Sequence, residues 1–256
     1  MRQSNAYVIG FAAVLTIVLG GLLALAATSL AEPQAAAVKL DTRTKILSAV
    51  MNIQEGDDVN AIWEERIQST VVNLEGDEVA QMENGEQLVA EKIDVGKEYK
   101  KAPEDRLFPV YKFMSKENPD QVESYIVPVF GNGLWDRIWG FVALDPDLET
   151  IKGVRFDHKG ETPGLGARIT DEGVQNRYVN KKIYSDVGEL VSIEMVKGET
   201  NDPSMYDDYH VDGMSGATLT AKGVNNMLKK YFSYYENYFK SVEGADDAAI
   251  ERATKN

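Results

Sequence analysis

Hydrophobic positions divide this chain into three stretches with different periods. From Tyr7 to Ala27 every residue is uncharged and most are Ala, Val, Leu or Ile, so no face of a helix there is polar. As a helix that segment spans about 30 Å, the thickness of a bilayer's hydrocarbon core. Ser29-Leu30-Ala31 has the small-x-small form of a cleavage site. The apolar run is nevertheless longer than a signal-peptide core of about 7–15 residues, which favours a retained anchor. Thr28 to Val38 then reads as a linker leaving the membrane, because Pro33 interrupts helical bonding.

The second stretch mixes short periods. Ile46, Leu47, Val50 and Met51 share one helical face, predicting a helix over 42–54 with Gly56 as its stop, and Val59 to Ile67 predicts another. Strand patterns follow at Thr70–Leu74, Leu107–Met114, Ser124–Phe130, Leu134–Leu144 and Ile151–Phe156, while 76–106 is charged and aperiodic. Gly131-Asn132-Gly133 and Asp145-Pro146-Asp147 mark turns, and Pro109 and Pro128 predict sheet edges or bulges. Asp171 to Tyr178 suggests a short helix, and Gly188 to Val196 alternates like a half-buried strand. In the third stretch Val224, Met227, Leu228, Tyr231, Tyr235 and Tyr238 recur at helical spacing, predicting a helix over 219–239. The sum is an α+β chain. A membrane anchor (1–30) and a linker (31–41) precede a soluble domain (42–244), and a charged tail (245–256) ends it. The domain's sheet is expected to be mixed, largely antiparallel and flanked by helices.

Charge narrows the partners. Among 256 residues, 27 Lys and Arg stand against 41 Asp and Glu, and a formal charge of −14 disfavours nucleic acid. The absence of cysteine excludes disulfides, cysteine-ligated zinc, iron–sulfur clusters and c-type haem attachment. With His158 and His210 the only histidines, no metal site is expected, and the acids around His210 read as a solvated loop. Arg2 is the only charge ahead of the anchor, which suggests a cytoplasmic N-terminus and a domain on the periplasmic or outer side of the membrane. Trp135, Trp139 and Phe141 read first as core packing, with membrane or subunit contact as the alternative.

Two turns carry candidate chemistry. Asp212-Gly213-Met214-Ser215-Gly216-Ala217-Thr218 packs small residues and hydroxyls just ahead of the last helix. A helix N-terminus presents free N–H groups and partial positive charge, so an anion is stabilised there, with Thr218 at that end. The same run also suits an ordinary glycine turn with a hydroxyl cap. Gly160-Glu161-Thr162-Pro163-Gly164-Leu165-Gly166-Ala167-Arg168-Ile169 is a Pro-Gly turn that lacks the third glycine of a dinucleotide fingerprint. Gly213-Met214-Ser215-Gly216-Ala217 falls one residue short of a G-x-S-x-G elbow, which leaves a membrane-anchored serine hydrolase using Ser215 as an alternative from another class. An anchored assembly protein without a working site is a further one.

Ser215-Gly216-Ala217-Thr218 resembles the flavinylation motif of the FMN-binding domain family, and Glu161-Thr162-Pro163-Gly164-Leu165-Gly166 resembles its second signature. Tyr125 to Leu144 is similar to the matching segment of the C-subunit family of sodium-translocating NADH:quinone oxidoreductases. The FMN-carrying G-subunit of the related Rnf-type complexes, the nearer alternative, is shorter and lacks the tryptophan-bearing insert. The resemblance implies one FMN held by a phosphoester bond to Thr218, shaped by Ser215, Gly216 and Ala217, with Thr162, Gly164 and Leu165 against the flavin ring. It also implies a bacterial inner-membrane electron-transfer subunit with other membrane and redox subunits as partners, matured by a flavin transferase using FAD and magnesium. Sodium transport and the NADH and quinone sites would lie in those other subunits. His158 sits one place off the family's histidine and is given no role, and no residue is assigned catalysis or metal binding.

Overall fold

The computed structural model describes residues 4–82 and 85–254, with side chains to residue 244. The chain divides into an N-terminal unit ending at Thr44 and a compact unit beginning at Lys45. Helix α1 (Asn5–Ser48) is, among the described residues, the one helix long and apolar enough to cross a membrane. Its helical bounds include Pro33, so the expected linker and the separate helix over 42–54 are corrected to one continuous helix. Proline removes one intrahelical bond, and the alanines around it (Ala31 and Ala35–Ala37) have the highest helix propensity, which carries the helix past that defect.

In the second unit, helix α2 (Val59–Arg66), capped by the Asp58 carboxylate, leads directly into strand β1 (Ile67–Val72). The turn α3 (Val95–Glu98) and the 3-10 turns Ala90–Lys92 and Pro103–Asp105 interrupt the charged 76–106 segment. Strands β2 (Phe108–Met114), β3 (Val122–Asn132), β4 (Arg137–Leu144) and β5 (Ile151–His158) then form an antiparallel meander in the order β1-β2-β3-β4-β5. After the turn α4 (Glu172–Gln175), strands β6 (Glu194–Met195) and β7 (His210–Val211) pair in parallel. Helix α5 (Thr218–Thr254) closes the chain. It passes Gly244 to reach Thr254, where the sequence suggested a tail. The expected strand over Gly188–Val196 shrinks to β6, because Ser192 takes a positive φ of 67° that an extended strand cannot hold.

Alternation along the meander sorts its two faces. Phe108, Val110, Tyr125, Val127, Val129, Ile138, Val142 and Leu144 face one way and pack with the apolar stripe of α5. Tyr111, Phe113, Ile126 and Ala143 face the other way and pack with Ile46, Leu47 and Trp63. The meander is therefore a central layer with helix on both faces.

Pro109 and Pro128 sit in interior strands rather than at the edges expected. The β2–β3 pairing begins at Tyr111↔Ile126, and continuing that register sets the two prolines opposite each other, where neither has an N–H to give. The buried Tyr235 hydroxyl of α5 fills the gap, donating to the Pro109 carbonyl at 2.9 Å and reaching that of Pro128 at 3.5 Å. Helix α5 comes equally close at the other end of β3. A Cβ at Gly131 would stand 2.9 Å from that of Met227, and one at Gly223 would stand 3.1 Å from the Gly133 backbone. These glycines bring the second and third turns of α5 against the end of β3 and the turn joining it to β4. That turn spans 133–136, two residues later than expected, since Gly131 and Asn132 extend β3.

Candidate functional site

Helix α5 begins at Thr218, and its first α-helical bond runs from the Ala221 N–H to the Ala217 carbonyl at 3.0 Å. Among the described residues, the N–H groups of Thr218, Leu219 and Thr220 have no acceptor, and neither has the half-buried Thr218 hydroxyl a partner. A helix terminus left in that state favours an anion. Beside it lies a cavity of about 190 Å³ lined by Leu134, Glu161, Thr162, Leu165, Gly166 and residues 216–220. Two turns separated by some fifty residues thus meet in one pocket.

Gly216 has a φ of 74°, which calls for glycine, and a Cβ there would meet the terminal Leu165 Cδ2 at 2.9 Å, a contact that the exposed leucine relieves by moving. Leu134, Leu165 and Leu219 are large apolar residues left exposed at the mouth. Thr162 lines the pocket, and its hydroxyl accepts from Trp135 Nε1 at 3.1 Å. Trp135 is 69 % exposed, which corrects the core reading of that residue; Trp139 and Phe141 are half-buried, and Trp63 is the tryptophan in the core. Gly164, at φ 74° with open space around it, shapes the turn without lining the cavity, and Ser215 likewise lies outside the wall.

The loop carrying Ser215 is braced from below. Glu199, whose side chain is 9 % exposed, accepts from Arg168 at 2.7 and 2.8 Å, from Arg177 at 2.8 Å and from the Ser215 N–H at 3.0 Å. Hydrogen bonds from both arginines hold its carboxyl well below the usual carboxylate range, outweighing the opposing cost of burial. Arg177 also donates to the Asp212 carbonyl at 3.1 Å and to that of Gly213. Asp212 was expected in a solvated acidic loop. Instead it is 5 % exposed and accepts from the N–H groups of Thr200 and Asn201 and from the Tyr206 hydroxyl. Burial opposes its ionisation, but those donors prevail and its pKa is lowered.

Glu161 is a third buried carboxylate, 4 % exposed, in the cavity wall itself. It accepts from the Thr220 hydroxyl at 2.5 Å and from the Trp135 N–H at 2.9 Å, fastening α5 to the β3–β4 turn. Burial again opposes its ionisation, yet Thr220 and the N–H groups of residues 134–136 lower its pKa.

The serine hydrolase alternative finds no support in this geometry. Among the described residues the Ser215 hydroxyl has no histidine partner, and His210 Nδ1 is paired with Asp207 at 2.6 Å. His158 Nδ1 accepts the Glu161 N–H at 3.3 Å. The described residues include no group of three or more His, Cys, Asp or Glu placed to hold a metal.

Of the seven residues that the sequence singled out, Thr218, Gly216, Ala217, Thr162 and Leu165 line the cavity, and Ser215 and Gly164 do not. Sequence reasoning passed over Leu134, Glu161, Glu199, Arg168, Arg177 and Thr220. Glu161 lay inside a recognised turn, and a buried carboxylate beside glycines was the available signal. Glu199 lay in an unpatterned loop with none.

The FMN-binding domain family's profile matches residues 133–233, the interval holding both turns. The C-subunit of the Na(+)-translocating NADH-quinone reductase of Haemophilus ducreyi is 32 % identical to this chain over 91 % of it and 93 % of the relative. That of Pseudomonas aeruginosa is also 32 % identical, over 89 % and 91 %. The crystal structure of the corresponding protein from Parabacteroides distasonis aligns with a TM-score of 0.68 at 31 % identity, covering 82 % of this chain and 96 % of that one. That of Shewanella oneidensis NqrC gives 0.67 at 26 % identity, covering 81 % and 99 %.

Proposed function

This chain belongs to the C-subunit family of the Na(+)-translocating NADH-quinone reductases, and from that premise we propose that it relays electrons through one FMN esterified to Thr218. The carrying observation is the Thr218 hydroxyl, unpartnered at a helix N-terminus whose first N–H groups are also unpartnered. A phosphate joined there would be held by the N–H groups of Thr218, Leu219 and Thr220 and by the partial positive charge of α5. The residues present fit the rest of the group as well. Gly216 and Ala217 keep the approach to the backbone clear, and Leu134, Leu165 and Leu219 offer apolar surface to a planar ring. Thr162 stands on the same wall, oriented by Trp135. Gly164 and Ser215 act through the shape of their turns. FMN, when bound, supplies reversible electron uptake at a potential that the protein tunes.

Among the described residues no base is hydrogen-bonded to the Thr218 hydroxyl, and a threonine hydroxyl is a weak nucleophile unaided. Attachment is therefore assigned to a separate flavin transferase drawing on FAD and magnesium. The work of this chain is to hold the acceptor hydroxyl steady through the Glu199 brace and to keep a tethered carrier from leaving. Helix α1 serves as a single membrane anchor with the second unit on the outer face, and the electron donor and acceptor are other redox subunits of the same complex. Protease treatment of spheroplasts tests that orientation: digestion of the domain is expected, and its protection would reverse the assignment.

Substitution tests the attachment. Thr218→Ala, co-expressed with the transferase, is expected to lose all flavin fluorescence that survives denaturation while keeping the parent's circular dichroism. Thr218→Ser is expected to retain part of it. Flavin surviving denaturation in the alanine variant would move the attachment elsewhere.

A further inference from the structure

Three carboxylates are buried near the attachment loop; Asp212 lies outside the wall of the Thr218 cavity, and the other two, Glu199 and Glu161, differ in one respect. Glu199 has its charge answered by two guanidinium groups. Glu161 has none: among the described residues no lysine, arginine or histidine forms an ion pair with it, and its oxygens take only neutral donors, the Thr220 hydroxyl and backbone N–H groups. The charged and titratable groups on the elements around it are engaged elsewhere: His158 accepts its backbone N–H, Asp136 is paired with Lys159 at 3.2 Å, Arg137 donates to Asn132, and Arg168 is bound to Glu199. On α5 the first charge is Lys222, beyond the cavity wall. Thr220 and the N–H groups of the 134–136 turn satisfy the carboxylate and leave its charge in place. That charge stands in the wall of the cavity that holds Thr218, 4 % exposed and so poorly screened by water.

Resting on the assignment of FMN to that cavity, we infer that Glu161 is a positioning and tuning residue whose fixed negative charge makes the bound flavin harder to reduce. An electron added beside an unanswered carboxylate is repelled by it, and in a partly enclosed site the repulsion is greater than in water. The same side chain clamps the first turn of α5 to the β3–β4 turn, so charge and placement are coupled in one residue.

The test is a spectroelectrochemical titration of the full-length flavinylated protein, with covalent FMN verified by mass in each variant. Glu161→Gln keeps the shape and, through its oxygen, the Trp135 N–H bond, while its NH2 donates to the Thr220 hydroxyl in place of accepting from it, and the charge is removed. Its midpoint potential is expected to move to a more positive value. A potential equal to the parent's, with FMN present on Thr218, would overturn the inference while leaving the attachment intact. Absence of FMN from the parent itself would instead overturn the assignment on which it rests. Should Glu161→Gln fail to fold or load, Thr220→Val decides, because it keeps the carboxylate but removes a donor that stabilises its charge. The potential of Thr220→Val is expected to match the parent's at pH 8 and to exceed it in acid, where the less stabilised Glu161 takes up its proton first. A potential that tracks the parent's at every pH refutes the tuning role.

Discussion

Replacing Glu199 by glutamine tests whether the brace beneath the attachment loop carries the stability and the function assigned to it. The carboxylate is 9 % exposed and its partners Arg168 and Arg177 are 28 % and 17 % exposed, so the three groups are largely withdrawn from water. A glutamine oxygen can keep one arginine bond, but its NH2 then faces guanidinium N–H groups, and one buried positive charge is left unanswered. Breaking one partner of such a pair costs about 3–5 kcal/mol when fully buried, and the residual exposure here argues for the lower figure, about 3 kcal/mol. In a domain running from Lys45 to the C-terminus, that corresponds to a fall of roughly 6–12 °C in Tm. The Ser215 N–H and the Gly213 carbonyl are tied to the same network, so flavin incorporation should fall as well. The assay pairs thermal melting at pH 7 with covalent flavin per chain after a fixed exposure to the transferase. A variant melting within a degree or two of the parent and loading flavin at the parent's rate would refute the reasoning.

Other substitutions and conditions probe separate parts of the account. Gly216→Val places a β-branched residue at φ 74° against Leu165; a loss of about 1–3 kcal/mol in urea unfolding and poorer flavin loading are expected. Tyr235→Phe leaves the Pro109 and Pro128 carbonyls without their hydroxyl donor, and chemical denaturation should show a loss of about 1–2 kcal/mol with flavin loading unchanged. Glu199, Asp212 and Glu161 all have lowered folded-state pKa values. Their contribution is complete above the unfolded carboxylate pKa and is lost as pH falls through the folded values. Tm should therefore hold steady from neutral pH down to about 5 and drop below about 4, and a plateau continuing into stronger acid would contradict the network's role.

What the sequence disclosed depended on whether the cause was local. The stripe Val224, Met227, Leu228, Tyr231, Tyr235 and Tyr238 is a one-face pattern, and all six residues are buried on α5. The alternating runs of β2 to β5 were legible for the same reason. Pro33 misled because proline's local cost was weighed without the alanines around it. Pro109 and Pro128 misled because the partner that makes them tolerable, Tyr235, lies more than a hundred residues away. Trp135 was placed in the core on its residue type, whereas its neighbours in the 133–136 turn hold it out toward Thr162. The two motif turns were visible as motifs. That they share a cavity, and that Glu161 and Glu199 organise it, follows from long-range packing that no short window contains.

The most direct measurement is the intact mass of the denatured full-length protein after co-expression with an active flavin transferase, followed by peptide mapping. A gain of one FMN less one water, located on the peptide containing Thr218, is the predicted result. An unmodified mass, with the transferase active on another acceptor in the same cells, or a flavin mapped to a different peptide, would contradict the account.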